Sequence, residues 1–400
     1  MSQDTTRIVL YSHDALGLGH LRRNLAIAHQ LAHDLPRLTG AGVTGLLVAG
    51  LAPPADFLLP PGFDWLILPG FTKSPVGYRP RHLRDTPQSL AALRSALVAT
   101  ALTDFAPALV IVDRHLYGVR GELRAPLHRL REARPATHIV LGLREVLDDP
   151  ETAASEWEAL DSPDALRRII DEVWVYGDRR VHDPLASGEI PDFLHDLAVF
   201  TGYLADGRAL LDRERCRDET PFVLTTVGGG SDGARLLKTA AALTPPPGYR
   251  HVLVTGPQLG EDDAEAVRDA AAPGTEIHRC PPGLSRYIER ACAVVTMGGY
   301  NTVCEVLASS APALIVPREE PRREQLIRAR ALQGAGAVDV MREADLDVGA
   351  LTRWVARAVT RRVLRARLRR DGLRTAAARA AALLRPDPTI SRRARQERAS

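Results

Sequence analysis

The sequence predicts an α/β protein in which two doubly wound domains face each other across a cleft. In the first half of the 400-residue chain, short apolar runs alternate with segments of helical periodicity, which is typical of a parallel sheet covered on both faces. A polar, charged segment interrupts this alternation, which then starts again. We therefore expect an N-terminal domain over 1–203, a linker over 204–220, a C-terminal domain over 221–384 and a disordered tail over 385–400.

The elements of the N-terminal domain follow from the order of its apolar runs. The first run, 8–11, leads through a glycine loop into a helical stretch at 21–35. Helical periodicity is also clear at 89–105 and 121–133. Further strands are expected at 45–49, 65–68, 108–112, 138–143 and 173–176.

The C-terminal domain repeats this order. A strand at 222–226 is followed by a glycine loop and by a helix that begins near Ala234. Residues 345–384 are rich in Ala, Arg and Leu and predict one long helix. Ligands of doubly wound sheets bind beyond the carboxyl ends of the strands, so a cleft between two such sheets suits a reaction of two substrates. Further strands are expected at 251–255, 276–278, 293–296 and 313–316.

Composition narrows the class of protein. A formal net charge of +3 is too small to indicate a nucleic-acid partner, and four cysteines without CxxC spacing indicate reduced thiols. No apolar run approaches the roughly 18 residues of a membrane span, and the polar N-terminus shows no secretion signal. We expect a cytoplasmic protein without a metal site, whose oligomeric state the sequence does not specify. The basic segment 345–384 allows weak association with an anionic membrane surface, as the alternative to a packed helix.

The first candidate motif is a glycine loop directly after the first strand. The run Gly17-Leu18-Gly19-His20 places a histidine where a helix begins. A helix N-terminus lowers the pKa of a histidine and favours the neutral imidazole, which can accept a proton. His20 is therefore a candidate catalytic base, Asp14 is a candidate for orienting it, and Arg22 is a further residue of the loop. The alternative is a turn that needs glycine only for its backbone angles.

Two further glycine loops follow strands of the C-terminal domain. The run Gly228-Gly229-Gly230-Ser231-Asp232-Gly233 precedes a helix and lacks the Gly-Lys-Ser/Thr ending of a P-loop. The run Gly298-Gly299-Tyr300-Asn301-Thr302 opens another helix, with Glu305 one turn inside. Successive amides at a helix start can hold a diphosphate, and a carboxylate can hold a pair of sugar hydroxyls. Each loop alone could be an ordinary turn, but two in one domain indicate a nucleotide-sugar site.

Charged residues at other strand ends are weaker candidates. Asp113 and Arg114 follow the fourth predicted strand, and Arg144 and Glu145 follow the fifth. Residues at such positions either line a cleft or cap a helix. We expect Asp113 to take part in catalysis, and Arg114 and Glu145 to lie on the acceptor side of the cleft.

Across most of its length the chain resembles the GT-B-fold glycosyltransferases, particularly the MurG-type N-acetylglucosaminyltransferases with their family 28 C-terminal domain. The fold that this resemblance implies has two Rossmann-like domains. The motifs that carry it are the loop Gly229-Gly230-Ser231-x-Gly233-Ala234, the segment Gly299-x-Asn301-Thr302-x-x-Glu305, the strand end at Pro317, and Glu324-Gln325-x-x-Arg328-Ala329.

The resemblance also implies roles for these residues. Glu305 would bond the ribose hydroxyls of a UDP-sugar, while Ser231 and the neighbouring glycine amides would hold the diphosphate. Gln325 and Glu324 would contact the sugar, and His20 would be the base on the acceptor side. The implied activity is metal-independent, inverting transfer of a sugar, N-acetylglucosamine being one candidate, from a UDP-sugar to an unidentified acceptor without a cofactor. Uracil would be read by backbone groups near Cys280 and Pro281.

The first glycine loop departs from the peptidoglycan enzymes because it has fewer glycines. It is closer to the UDP-sugar hydrolases of pseudaminic acid synthesis, and it also resembles uncharacterised predicted glycosyltransferases that begin Gly-Leu-Gly-His-Leu-Arg-Arg. Three alternatives to sugar transfer therefore stay open. They are hydrolysis by water that His20 activates, epimerisation of a UDP-sugar, and binding of a UDP-sugar by a regulator without catalysis.

Overall fold

The structure has two parallel β-sheets, one in each half of the chain, and a short antiparallel hairpin. Buried apolar side chains cover both faces of each sheet. The predicted fold class, two doubly wound α/β domains that face a cleft, is thus confirmed. The computed structural model describes residues 5–13, 18–54, 57–74, 77–208, 220–230 and 232–385.

The N-terminal domain is built on strands β1 (Thr5–Tyr11), β2 (Gly42–Ala49), β3 (Phe63–Ile67), β4 (Phe71–Ser74), β5 (Gly77–Pro80), β6 (Leu109–Asp113), β7 (His138–Arg144), β8 (Glu172–Tyr176) and β9 (Ala198–Phe200). Its helices are α1 (Gly19–Thr39), α2 (Pro87–Phe105), α3 (Arg124–Ala133), α4 (Pro150–Glu158) and α5 (Pro163–Ile169). Strands β4 and β5 form the hairpin, and the others form one sheet in the order β3-β2-β1-β6-β7-β8-β9. The order reverses between β1 and β6, which is where ligands of such sheets bind.

The C-terminal domain is built on strands β10 (Phe222–Thr226), β11 (Arg250–Val254), β12 (Thr275–His278), β13 (Ala293–Thr296), β14 (Ala313–Ile315) and β15 (Asp339–Val340). Its segment of the chain contains helices α6 (Ala234–Ala241), α7 (Glu261–Asp269), α8 (Leu284–Arg290), α9 (Tyr300–Ala308), α10 (Glu324–Gly334), α11 (Val348–Ala358) and α12 (Gly372–Leu383). The sheet order β12-β11-β10-β13-β14-β15 reverses between β10 and β13. In the described ranges, no helix combines the length and the apolar character needed to cross a bilayer.

The strands and helices form where local chemistry favours them. Every residue of β6, β8 and β10 is buried, which explains the continuous apolar runs in the sequence. Helices α2, α4 and α5 begin with a side-chain cap from Thr86, Asp149 or Ser162. Each cap is followed by proline, whose fixed φ suits the first helical position.

The prediction of one long helix at 345–384 is wrong. Helix α11 ends at Ala358, α12 starts at Gly372, and no helix joins them. Arg365, between the two, is buried and donates hydrogen bonds to the carbonyls of Ser309, Ala311 and Ala337, at 2.8, 2.9 and 2.9 Å. These tertiary bonds satisfy three carbonyl groups of the neighbouring loops, so they outweigh the local preference for helix.

The last helix lies on the other domain. Helix α12 packs against α1, and the amide of Gly372 donates to the carbonyl of Tyr203 at 3.0 Å. A Cβ at Gly372 would come within 2.3 Å of the Gly202 carbonyl oxygen. The close approach of these two segments of the chain therefore requires glycine at position 372. The segment predicted as the C-terminal domain, 221–384, therefore includes a helix that covers the N-terminal domain. Residues 209–219 of the predicted linker and 386–400 of the predicted tail lie outside the described residues.

One apolar core runs through both domains. It includes Trp174 of the N-terminal sheet, Tyr203 of the segment that follows β9, Tyr300 of α9 and Ala376 of α12. The Tyr300 hydroxyl donates to the carbonyl of Tyr176 at 2.8 Å. Because the buried apolar area is shared, the two sheets are held with their strand ends facing each other.

Candidate active site

A cavity of about 340 Å³ lies between the two domains. Both walls consist of strand ends and helix starts, as expected for facing doubly wound sheets. The N-terminal wall includes Leu18, Gly19, His20, Arg22, Arg23, Pro54, Phe57 and Arg144. The C-terminal wall includes the turn 227–230, the segments 256–258, 279–281 and 299–302, and Gln325.

His20 and Asp113 form a hydrogen-bonded pair on the N-terminal wall. His20 stands in the first turn of α1, and its Nδ1 lies 2.8 Å from Oδ2 of Asp113 at the end of β6. Burial alone would raise the pKa of Asp113, but Arg23 and His20 lower it below its ordinary value. The carboxylate is therefore ionised and accepts the proton of Nδ1, which leaves the lone pair of His20 on Nε2.

The electrostatic surroundings of His20 favour its neutral form. Burial is the largest cause and lowers the pKa of His20 below 6.5, Asp113 opposes this shift, and Arg23 adds to it. A neutral imidazole with Nδ1 held by a carboxylate can take a proton on Nε2. The pair has the geometry of a general base and the group that orients it.

Arg23 supports this pair, and the sequence reasoning missed it. Its guanidinium contacts both carboxylate oxygens of Asp113, with Nη2 at 2.9 and 2.7 Å and Nε at 3.1 Å. Nη2 also lies 3.1 Å from Nδ1 of His20. The signal that could have found Arg23 is its spacing, because residues three apart share one face of a helix.

Asp14, the residue predicted to orient His20, and Gly17 lie outside the described residues, so their proposed roles stay predictions. The orienting contact that the structure does contain comes from Asp113, which the sequence had placed at a strand end.

The first glycine turn of the C-terminal wall follows β10. Gly228 and Gly230 have φ angles of 69° and 96°, and a Cβ at Gly230 would lie 2.4 Å from the carbonyl oxygen of Thr255. Both features require glycine. Gly229 and Gly230 line the cavity, whereas Gly233 caps α6 and packs against Val227. Ser231 lies outside the described residues.

The second glycine turn connects β13 to α9. Gly298 has a φ angle of 84°, and its carbonyl accepts from Arg328 at 3.3 Å. Gly299 caps α9, and Gly299, Asn301 and Thr302 line the cavity. The Asn301 side chain joins the domains, because its Nδ2 donates to the Gly19 carbonyl at 2.8 Å. The N-terminus of α9 thus faces the loop that carries His20.

Glu305 is buried one turn inside α9. Its Oε1 lies 3.3 Å from Nη2 of Arg22 and 3.9 Å from Nη1 of Arg208. The carboxylate therefore faces the first glycine loop of the other domain. Arg22 itself lines the cavity, as does Gly19.

Three of the other predicted donor residues, Gln325, Cys280 and Pro281, line the same cavity, whereas Glu324, like Glu305, is not among its lining residues. Gln325 also accepts a hydrogen bond from the Arg318 amide at 3.0 Å. Glu324 accepts from the Arg318 guanidinium at 2.6 Å, while its Oε2 is buried without a hydrogen-bond partner. Cys280 and Pro281 line the cavity between β12 and α8.

Two predicted acceptor-side residues form ion pairs and do not line the cavity. Arg114 pairs with Glu156 at 2.8 Å. Glu145 is fully buried and pairs with Arg328 of α10 at 2.7 Å. Each of the two side chains neutralises an opposite charge on a neighbouring element. Among the residues that the structure describes, no group of three or more His, Cys, Asp or Glu side chains could hold a metal ion.

The two-domain fold is that of the GT-B glycosyltransferases, to which several solved structures similar to this one belong. The glycosyltransferase of kitacinnamycin has a TM-score of 0.58 at 16% identity, covering 95% of this chain and 100% of its own. The calicheamicin glycosyltransferase CalG4 has a TM-score of 0.57 at 17% identity, covering 94% and 97%. MurG of Acinetobacter baumannii has a TM-score of 0.51 at 15% identity, covering 95% and 99%.

The first sequence comparison concerns the C-terminal domain. Residues 224–379 match the glycosyltransferase family 28 C-terminal domain. The MurG-type, GT-B resemblance seen in the sequence is thereby confirmed. A Haemophilus influenzae (strain PittEE) relative is 30% identical over 140 residues, which are 33% of this chain and 38% of the relative. It is named UDP-N-acetylglucosamine–N-acetylmuramyl-(pentapeptide) pyrophosphoryl-undecaprenol N-acetylglucosamine transferase.

A relative from Mannheimia succiniciproducens carries the same name and is 28% identical over 149 residues, which are 34% of this chain and 40% of the relative. The chain therefore spans about 38–40% of the length of the curated relatives it matches.

Proposed function

We propose that this protein is an inverting, metal-independent glycosyltransferase that moves a sugar from a UDP-sugar to a hydroxyl group of an acceptor. The observation that carries the proposal is the His20–Asp113 pair, which faces the glycine turns of a family 28 domain across one cavity. UDP-N-acetylglucosamine is the first candidate donor, because the curated relatives are named for it.

The proposed reaction uses both walls of the cavity. The acceptor hydroxyl gives its proton to Nε2 of His20 as its oxygen attacks the anomeric carbon from the face opposite UDP. Asp113 stabilises the imidazolium that forms, and Arg23 keeps the carboxylate in place. The departing UDP receives hydrogen bonds from the glycine amides and lies at the N-termini of α6 and α9, where the helix dipoles favour negative charge.

The donor would extend along the C-terminal wall. We assign the diphosphate to the turn at Gly229 and Gly230 together with Ser231, and the uracil edge to backbone groups near Cys280 and Pro281. Glu324 and Gln325 would contact the sugar. These assignments follow the family resemblance, and the lining of the cavity supports those of Gly229, Gly230, Cys280, Pro281 and Gln325.

Glu305 is assigned to the ribose hydroxyls. Both of its arginine contacts involve Oε1, so the other carboxylate oxygen would accept the ribose diol. We predict that Glu305→Ala weakens UDP binding by about 1–3 kcal/mol, the cost of losing a buried hydrogen-bond partner. Calorimetric titration with UDP measures this change. Glu265→Ala, at an exposed position of α7, is the matched control, and equal UDP affinity in both variants would remove Glu305 from the ribose site.

The pH dependence of the reaction follows from the shifted pKa of His20. Because burial lowers this pKa below the ordinary value of 6.5, the base is already neutral at neutral pH. We predict that the midpoint of the decline in kcat/KM with falling pH lies below pH 6.5. A profile that already declines between mildly alkaline and neutral pH would contradict this role of His20.

One set of incubations separates transfer from its alternatives. A thermal-shift screen with UDP, GDP, dTDP and CDP identifies the nucleotide, and incubation with the matching sugars alone tests for hydrolysis. Release of free sugar at a catalytic rate would indicate a hydrolase, return of an altered UDP-sugar would indicate an epimerase, and binding without turnover of any acceptor offered would indicate a regulator. Turnover that requires a hydroxyl acceptor supports the proposed glycosyltransferase.

A further inference from the structure

Arg144 is a cavity-lining arginine that the proposed reaction leaves without a role. It is the last residue of β7, the strand next to β6, whose last residue is Asp113. Its side chain lines the cavity between the domains. Parallel strands place their carboxyl ends along one edge of a sheet, so Arg144 stands on the same wall as His20.

The charge of Arg144 is not neutralised by a partner. Its Nε is buried and has no hydrogen-bond partner. Other arginines of the cavity are paired: Arg22 with Glu305 at 3.3 Å, Arg23 with Asp113 at 2.7 Å and Arg279 with Glu261 at 2.7 Å. In the described part of the chain, Arg144 forms no ion pair or side-chain hydrogen bond.

Burial and the charges around Arg144 destabilise its cationic form relative to an arginine in water, although the side chain stays charged at neutral pH. Burial, followed by the neighbouring Arg328 and Arg23, lowers the pKa of Arg144 to about 9, and only Glu324 among its main neighbours opposes the shift. A buried charge without a partner is destabilising. Such a side chain is expected at a site whose ligand brings the opposite charge, since functional sites commonly carry groups that destabilise the empty protein.

We propose that Arg144 binds the distal phosphate of the nucleotide diphosphate, the phosphate that is joined to the sugar. This inference rests on the proposed function. It assigns the Arg144 guanidinium as the cation that faces the departing nucleoside diphosphate. The charged neighbours of Arg144 include Arg23, which holds the His20–Asp113 pair, and Glu324, which we assign to the sugar. In the proposed complex, one anionic group of the donor lies between His20 and the residues that contact the sugar. This group is the phosphate joined to the anomeric carbon.

In the proposed reaction, Arg144 supplies a full positive charge to the leaving group, which the glycine turns do not carry. As the acceptor oxygen bonds to the anomeric carbon, the bond from that carbon to the phosphate oxygen breaks, and its electron pair stays on the phosphate. The acceptor proton moves to Nε2 of His20. The amides of the C-terminal wall offer partial charges, whereas Arg144 offers a full positive charge from the opposite wall, and a guanidinium binds phosphate oxygens through two parallel N–H groups.

The test compares UDP with UMP on Arg144→Gln. Because UMP lacks the distal phosphate, we expect the variant to bind UDP about 10- to 100-fold more weakly than the wild type, a change typical of a lost bond to a charged group. Its affinity for UMP is expected to stay within about threefold. Calorimetric titration of both nucleotides provides the comparison. Arg167→Gln is the matched control, because it removes an arginine that Asp196 already neutralises at 2.7 Å and that does not line the cavity.

A second measurement excludes a merely structural role. Removing a buried cation that has no partner is expected to leave the melting temperature of the ligand-free protein unchanged or to raise it, while the shift produced by UDP becomes smaller.

Unchanged UDP affinity in Arg144→Gln would overturn the inference, even if turnover were lost, because the anion would then belong to another substrate. Equal losses of UDP and UMP affinity with a lower melting temperature would overturn it as well. A wild-type protein that binds no nucleoside diphosphate would instead refute the proposed function itself.

Discussion

Replacing His20 by alanine is expected to lower kcat by about 10²- to 10⁴-fold, the usual contribution of a positioned general base. The affinity for UDP should stay within about twofold, because the imidazole faces the acceptor and the proposed nucleotide contacts other than Arg144 lie on the other wall. Steady-state kinetics with saturating donor and a calorimetric titration with UDP measure the two effects separately. The reason for the large effect is geometric: Nδ1 is held 2.8 Å from an ionised carboxylate, so Nε2 is the atom that receives the proton.

Two companion variants make this prediction specific. His33→Ala removes a half-exposed histidine from the same helix and should leave kcat unchanged. Asp113→Asn keeps the size of the side chain but replaces the acceptor of the Nδ1 proton and leaves Arg23 opposite a neutral group. We expect it to lower kcat substantially as well, since the wrong tautomer of His20 is then favoured. Normal turnover in His20→Ala would remove this histidine from the mechanism.

Replacing Glu145 by glutamine is expected to destabilise the protein by about 3–5 kcal/mol, because it leaves the guanidinium of Arg328 buried without a counter-charge. The pair joins the two domains, with Nε of Arg328 2.7 Å from Oε1 of Glu145 and both side chains 1% exposed. Burial alone would lower the pKa of Arg328, but the facing carboxylate raises it above its ordinary value. Thermal and urea unfolding of the ligand-free protein measure the loss.

A double variant shows whether the cost comes from the unpaired charge. Combining Glu145→Leu with Arg328→Met removes both charges and should recover much of the stability that Glu145→Gln loses. Glu261→Gln is the matched control, because its pair with Arg279 is exposed and such pairs contribute little. An unfolding midpoint of Glu145→Gln that equals the wild type would show that the pair does not hold the domains together.

The sequence by itself determined the fold class and the position of the glycine turns. Apolar runs such as 222–226 and 293–296 mark buried parallel strands because both faces of such strands are covered, and the structure has β10 and β13 at these places. Glycines at 228, 230 and 298 are informative for a local reason, since their φ angles of 69°, 96° and 84° are rarely adopted by other residues. Signals of this kind depend on a few neighbouring residues, and a linear sequence displays them directly.

Partners that are distant along the chain were decided only by the tertiary structure. His20 meets Asp113 across 93 positions and Arg328 meets Glu145 across 183. Residues 345–384, which are rich in Ala and Arg, contain two separate helices because Arg365 between them donates hydrogen bonds to buried carbonyl groups. Hydrogen bonds and ion pairs of this kind require the burial and the directions of side chains that packing creates. For the same reason, only the structure shows that Arg144 ends in the cleft without a counter-charge.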